Sequence, residues 1–379
     1  METFLNRRHM FFIGLVLYIL RCFISYTSYP IPIFIITICW YGAQLCWLMA
    51  IIMKFEWNPV IIIEIAFIAY GLFSYKLTGS PNILAIVYML LASKDIDCRD
   101  IISLTFKITA PLLGVSIVWY AINYVFGNVT VSKTREINGV VSLRHSFYFN
   151  HANGFSLFFL FTLLMFFYLK YNEYNKLLLY SILIAGAIFV YMFPNTRTVS
   201  VVFLAAIAID LIFATDYTKI VRFFCKNLFV IGLVLIIVLA GGYMLYPDVA
   251  LFSKVDSMMN GRLTMVAGAF NIYGINLTGH KIINEDVFIP QLGYFTLFID
   301  NYWGMLVIRY GVISTVLVGV ISMYTAYSMD KQDKRIELLL VSMICVFGLS
   351  ESTALDIYPV FPWLFLKETA AYKYLENRP

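Results

Sequence analysis

The chain has 379 residues, of which 61% are hydrophobic and 13% charged, with a mean hydropathy of +0.82 and a formal net charge of +5. Soluble globular domains carry about twice that share of charge, so a soluble domain is excluded and a chain solvated by lipid is indicated. The small positive balance sits mostly in short loops and points to no nucleic-acid partner.

Apolar runs of spanning length recur along the chain, and only helices or closed barrels satisfy backbone polar groups in lipid. The pattern predicts an all-α polytopic membrane protein forming one membrane domain over residues 1–379. Its first run, 10–27, follows Arg7-Arg8 and imitates a signal peptide. It contains Arg21 and lacks a small-residue cleavage site, so it is read as a retained first helix. Runs at 32–53, 59–75, 79–93 and 101–127 follow, then a polar stretch over 128–152. Four more lie at 153–169, 177–193, 198–214 and 227–245, and after the polar stretch 247–301 come 302–328, 337–352 and 357–366. The fourth and the last are short, so ten to twelve transmembrane helices are expected. No internal repeat is visible, which weighs against an inverted-repeat transporter. The six cysteines fall in predicted spans or on the side assigned to the cytoplasm, so no disulfide framework is expected.

Orientation follows from the lysine and arginine bias of the short loops. With the N-terminus inside, the cytoplasmic pieces hold Arg7, Arg8, Lys54, Lys94, Arg99, Lys170, Lys176, Lys219, Arg222, Lys226, Lys331, Lys334 and Arg335, and the short outer turns only Lys76 and Arg197. Both long polar stretches, 128–152 and 247–301, are thereby placed outside. The second has roughly 55 residues, far above the usual connection length, and loops of that size are functional or disordered. Near-helical spacing of apolar residues from Met258 to Tyr273 predicts that this one is folded and carries the chemistry.

The outer basic residues are grouped. Arg144 precedes His145, Arg197 sits in Pro194-Asn195-Thr196-Arg197-Thr198, Arg262 follows Asn260-Gly261, and Arg309 lies roughly 10 Å into a span. Arginine at that depth faces a cavity or a partner. A guanidinium suits phosphate because its planar fork donates two parallel hydrogen bonds and stays charged. The bland reading is contact with lipid headgroups; four together on one side favour a pyrophosphate site. His145 and His151 belong to a polar stretch that runs through Asn153 into a span, and interfacial hydrogen bonding is the alternative for them. No HExxH, CxxC or tight carboxylate cluster is present, so no metal and no cofactor are expected. Asp300-Asn301 opens the span after the long loop, where Asp300 either caps a helix or acts as a general base. Glu351, beside Ser350 and Ser352 near an outer helix end, is read as lining the same cavity.

Four pieces in this order resemble the O-antigen polymerase and ligase superfamily, in particular the Wzy-type polymerases of capsule and exopolysaccharide clusters. They are His151-Ala152-Asn153-Gly154, Thr196-Arg197-Thr198, Asn260-Gly261-Arg262, and Asp300-Asn301-Tyr302 with Arg309-Tyr310-Gly311-Val312. The family often shows His-Pro-Asn where this chain has His-Ala-Asn, and its ligase branch usually has a histidine where Asp300 stands. The resemblance implies a GT-C-like, metal-independent glycosyltransferase in the bacterial cytoplasmic membrane, with its active site facing outward. Its substrate would be a glycan on undecaprenyl pyrophosphate, and a flippase and chain-length regulator proteins would be its partners. By the same resemblance Arg262 and Arg197 bind the pyrophosphate, with Asp300 as base and His151 as its runner-up. Arg144, His145, His151, Asn153, Asn301 and Arg309 extend the substrate cavity. Ligase-type transfer to another acceptor and a repeat-unit flippase or transporter are the alternatives.

Overall fold

A computed structural model of the chain describes residues 6–53, 60–129, 133–137, 140–215, 217–349, 351–352 and 360–369. Each predicted apolar run has a helix among its described residues; residue 59 of the third run, residue 350 of the run 337–352 and residues 357–359 of the last lie outside them. The first five are α1 (Arg7–Tyr26), α2 (Ile33–Ile52), α3 (Val60–Thr78), α4 (Asn82–Ala92) and α5 (Cys98–Val125). The strands β1 (Lys133–Ile137) and β2 (Val140–Arg144) precede α6 (Ala152–Lys170), α7 (Lys176–Met192), α8 (Arg197–Ile212) and α9 (Thr218–Leu245). Next come α10 (Ala250–Met258), α11 (Arg262–Tyr273), β3 (Asp286–Ile289) and β4 (Gly293–Thr296). The chain continues with α12 (Tyr302–Gly304), a π-helical turn over Met305–Tyr310, α13 (Gly311–Lys331), α14 (Arg335–Gly348) and α15 (Val360–Leu366).

Among the described residues, seven stretches are long and apolar enough to cross a bilayer: α1, α2, α3, α5, α6, α9 and Tyr302–Lys331. The chain is therefore a mostly helical, multi-pass membrane protein. Helix α11 occupies the segment whose spacing predicted it. The two antiparallel hairpins, β1–β2 and β3–β4, had no counterpart in the sequence reading. The run 302–328 was expected as one uninterrupted helix, and here the structure differs. Its first turn widens to π geometry, and the regular helix resumes only at Gly311, which has φ +81°.

The chain packs as two units, one of Met1–Trp57 with Tyr88–Leu211 and the other of Asn58–Val87 with Ile212–Pro379. In the first, α1 and α2 form a close pair around Trp47, a fully buried indole whose Nε1 donates to the Phe11 carbonyl at 3.3 Å. Arg21 lies over the Trp40 ring, 5.1 Å from its centre, in a cation–π contact. Buried Asp210 accepts from the Tyr180 hydroxyl at 2.6 Å and pairs with Lys176 at 3.3 Å, joining α7 to α8. In the second unit, Trp303 is buried against α9 and its Nε1 donates to the Phe229 carbonyl at 2.9 Å. Arg222 and Lys226 of α9 both pair with Asp330 of α13, at 3.1 and 2.6 Å, and fix the ends of the two helices side by side.

Candidate functional site

The second unit builds its site from three separate segments. The α10–α11 turn places Asn260 and Gly261 in the left-handed region, at φ +56° and +79°, and Gly261 stands at the N-cap of α11. Glycine adopts that backbone freely but brings no side chain to satisfy the first N–H groups. Asp256, back in α10, supplies the missing acceptor: its two carboxylate oxygens take the Thr264 N–H at 2.9 Å and the Thr264 hydroxyl at 2.6 Å. Arg262 is thereby fixed as the first residue of α11.

Asn301 performs the second placement. Its Oδ1 accepts the Gly304 N–H at 2.9 Å, so Asn301 is the N-cap of the helix that begins at Tyr302. The capping alternative for Asp300 is thus corrected: its neighbour takes that role. Asn301 Nδ2 also donates to the Leu349 carbonyl at 2.7 Å, at the end of α14. One buried amide thus joins a helix start to a helix end, and it sets Asp300 and Glu351 beside each other.

Arg262 lies between these two carboxylates. Its Nε and Nη2 donate to Asp300 Oδ2 at 3.0 and 2.8 Å, and Nη2 also donates to Glu351 Oε1 at 2.8 Å. The side chains are only 10%, 15% and 6% exposed respectively. Burial would lower the pKa of the guanidinium, but Glu351 and then Asp300 outweigh it, and the pKa is raised. Asp300 Oδ1 lies 3.4 Å from the Ser352 N–H and hydroxyl, too far for strong hydrogen bonds, and the Asp300 carboxylate also shares a hydrogen bond with the Glu351 carboxyl group. Arg262 Nη1 makes no hydrogen bond among the described residues.

In the first unit, Arg144 ends β2 and reaches two segments. Its Nε donates to the Pro194 carbonyl at 2.9 Å and its Nη2 to Asn153 Oδ1 at 2.6 Å. The turn that carries Pro194 is held to α6 by the Thr196 and Ser156 hydroxyls, 2.8 Å apart. His145 sits among aromatic rings, its Nδ1 2.9 Å from the Tyr120 hydroxyl and its ring packed edge-on to Tyr124 and Phe193. Burial lowers its pKa, favouring the neutral imidazole. His151 is exposed at the N-cap of α6, and its side chain makes no capping bond. Arg197 is the exposed first residue of α8 and pairs with no carboxylate among the described residues. Arg309 lies within the π-helical turn of the second unit.

The predicted residues are therefore joined in sets, Arg262 with Asp300 and Asn301 in one unit, Arg144 with Asn153 and the 194–197 turn in the other. The sequence reading gave no role to Asp256 or Tyr120, and it placed Glu351 in the cavity beside Ser352 without its partner Arg262. A carboxylate three residues past an apolar helix was the available signal for Glu351. Among the described residues no group of three or more His, Cys, Asp or Glu side chains is placed to hold a metal ion. No family model, no curated protein and no solved structure matches the chain.

Proposed function

We propose that this protein is a polymerase of oligosaccharide repeat units carried on undecaprenyl pyrophosphate. In this reading it has ten to twelve spans, a GT-C-like architecture, and a large loop over 247–301 at the outer face of the bacterial cytoplasmic membrane. One observation carries the proposal: Asn260-Gly261-Arg262 and Asp300-Asn301-Tyr302, far apart in the chain, meet through a two-pronged arginine–carboxylate contact. The pairing of Arg144 with Asn153 gives a second joining of motif pieces and supports the same reading.

Glycosyl transfer from a pyrophosphate needs stabilisation of charge on the departing phosphate and a group to receive the acceptor's proton. Asp300 and Glu351 hold the Arg262 guanidinium in one orientation, with Nη1 open toward a phosphate oxygen. Asp300 Oδ1, the oxygen not engaged by Arg262, is the proton acceptor; exposed Arg197 adds positive charge for the donor. The acceptor hydroxyl attacks the anomeric carbon, its proton passes to Asp300, and the sugar–oxygen bond to the pyrophosphate breaks.

Deletion of the protein followed by analysis of lipid-linked glycans is the test. The polymerase reading expects single repeat units to accumulate outside the membrane. Single units trapped inside would make it a flippase, and long unattached chains a ligase. Orientation is checked separately: a cysteine replacing exposed Ile275 should react with an impermeant thiol reagent in cells, and one replacing exposed Asp333 should not.

A further inference from the structure

Within the second unit, the chain crosses itself where the helix after Tyr302 is broken. The segment Asn276–His280 runs against the π-helical turn, backbone to backbone. Val312 N–H donates to the Asn276 carbonyl at 2.9 Å, Ile313 N–H to Leu277 at 3.1 Å, and His280 N–H to the Arg309 carbonyl at 3.0 Å. Two glycines make the crossing possible. A Cβ on Gly279 would lie 2.1 Å from the Arg309 carbonyl oxygen, and one on Gly311 would lie 2.4 Å from the Gly279 nitrogen. Both have positive φ, so each position excludes other residues twice over. Irregular backbone inside an apolar span is tolerated where protein covers it or where it borders a cavity, and π turns recur at functional sites.

Two of the residues whose backbones meet here, Arg309 and His280, are basic and carry buried nitrogens that make no hydrogen bond among the described residues. Arg309 Nε is buried and without a hydrogen bond, and Nη1 has only the Met305 sulfur, 3.9 Å away. A thioether is a weak acceptor and does nothing to balance a charge. His280 Nε2 is likewise buried and without a hydrogen bond. The next residue, Lys281, lays its stem over Gly79, and among the described residues no carboxylate pairs with either Arg309 or Lys281. Asp300 and Glu351, by contrast, are both engaged by Arg262. Desolvating a guanidinium with no anion beside it is costly, and a bound anion offsets that cost. Planar, two-pronged donation to tetrahedral oxygens is what a guanidinium does best.

We propose that Arg309 and His280 form a binding site for the phosphate of a lipid headgroup, with Lys281 at its edge. Two lipids present that chemistry: the pyrophosphate of the proposed donor and the phosphodiester of a membrane phospholipid. The first source rests on the polymerase reading, whereas the site itself does not.

The test uses purified full-length protein in a maltoside detergent, which contains no phosphate. Inorganic pyrophosphate is titrated in one arm and phosphatidylglycerol in mixed micelles in the other, with the thermal-unfolding midpoint as readout at constant ionic strength. Wild type is expected to show saturable stabilisation by at least one probe. Arg309→Gln should weaken it by on the order of tenfold or more, the loss expected for a charge-assisted hydrogen bond. His280→Gln should weaken it less, Arg309→Lys should retain part of it, and Lys331→Gln should leave it unchanged. If Arg309→Gln does not fold, the His280→Gln and Arg309→Lys titrations decide. Response to pyrophosphate assigns the site to the donor, and response to phosphatidylglycerol alone assigns it to membrane lipid. No stabilisation by either probe, or stabilisation that survives at full strength in the folded Arg309 and His280 variants, overturns the site. A deletion phenotype other than polymerase loss would remove the polymerase reading and leave this result standing.

Discussion

Arg262 and Arg144 occupy similar places in the two units, each at the junction of a loop with regular structure, yet they are held by different chemistry. Arg262 is clasped by two buried carboxylates at 2.8 Å, and Arg144 is held by the carbonyl oxygens of Pro194 and Asn153 at 2.9 and 2.6 Å. A guanidinium hydrogen-bonded to two buried carboxyl groups is fixed in orientation, because removing it leaves both without that partner. A carbonyl oxygen orients a guanidinium without neutralising it, so the contacts to Pro194 and Asn153 position Arg144 and do not pair its charge. The difference assigns Arg262 a double part, as a structural tie whose Nη1 makes no hydrogen bond among the described residues, and Arg144 a lighter one.

The sharpest way to break that contrast is to delete each guanidinium in turn. Arg262→Ala is expected to cost about 3–5 kcal/mol of stability, the range for breaking a buried ion pair. Arg262→Lys should recover little, because a point charge cannot hold two carboxylates through a planar fork. Thermal unfolding of purified variants measures this, and a loss under about 1 kcal/mol for the alanine variant would show the carboxylates to be solvated.

Turnover separates the two carboxylates. Asp300→Asn keeps the shape of the group but removes its capacity to take a proton, and polymerisation should fall by roughly 10²–10⁴-fold. Because Asn301 caps the helix, a lost cap cannot explain that fall. Glu351→Gln weakens the same network but keeps an amide that can hydrogen-bond Asp300, so it should lower turnover much less. If both variants lose activity equally, the network is only a scaffold, and His151→Gln becomes the next variant to assay.

Arg144→Ala is the milder counterpart. It removes two hydrogen bonds to neutral acceptors and leaves the Asn153 amide oxygen and a buried proline's carbonyl to find water, which costs about 1–3 kcal/mol. A stability loss as large as that of Arg262→Ala would erase the contrast between the units.

What the sequence made legible follows from range. Hydrophobic runs are local, so all the helices in lipid-compatible stretches could be read, and the spacing from Met258 to Tyr273 disclosed α11. The hairpin β3–β4 was hidden because four-residue strands leave little alternation to detect; Gly293, at φ +78°, was its one turn signal. The π turn at 305–310 left no trace except Gly311, since its cause is the crossing chain at Gly279. Arg262 and Asp300 were each visible as candidates, but 38 positions separate them and no periodicity links residues at that distance. The choice between Asp300 and Asn301 as cap was likewise undecidable from two adjacent residues that both make good caps.

The smallest expected effect concerns Asp256, which stands in for the side chain Gly261 lacks. Its carboxylate takes two hydrogen bonds from Thr264 and lies where the partial positive charge of the α11 N-terminus favours an anion. Asp256→Ala removes both contributions and should cost about 1 kcal/mol, the usual value of an N-cap. Asp256→Asn retains an acceptor and loses only the charge, so it should cost a few tenths of a kcal/mol, with a difference that shrinks as salt is added. The same helix end sets the position of Arg262, so any disorder there reaches the ion-pair network. Donor affinity in Asp256→Ala should therefore fall by a larger factor than in Asp256→Asn. Equal stability of the two variants at low salt would mean that the Asp256–Thr264 contacts do not hold α11, and that Arg262 is positioned by its carboxylates alone.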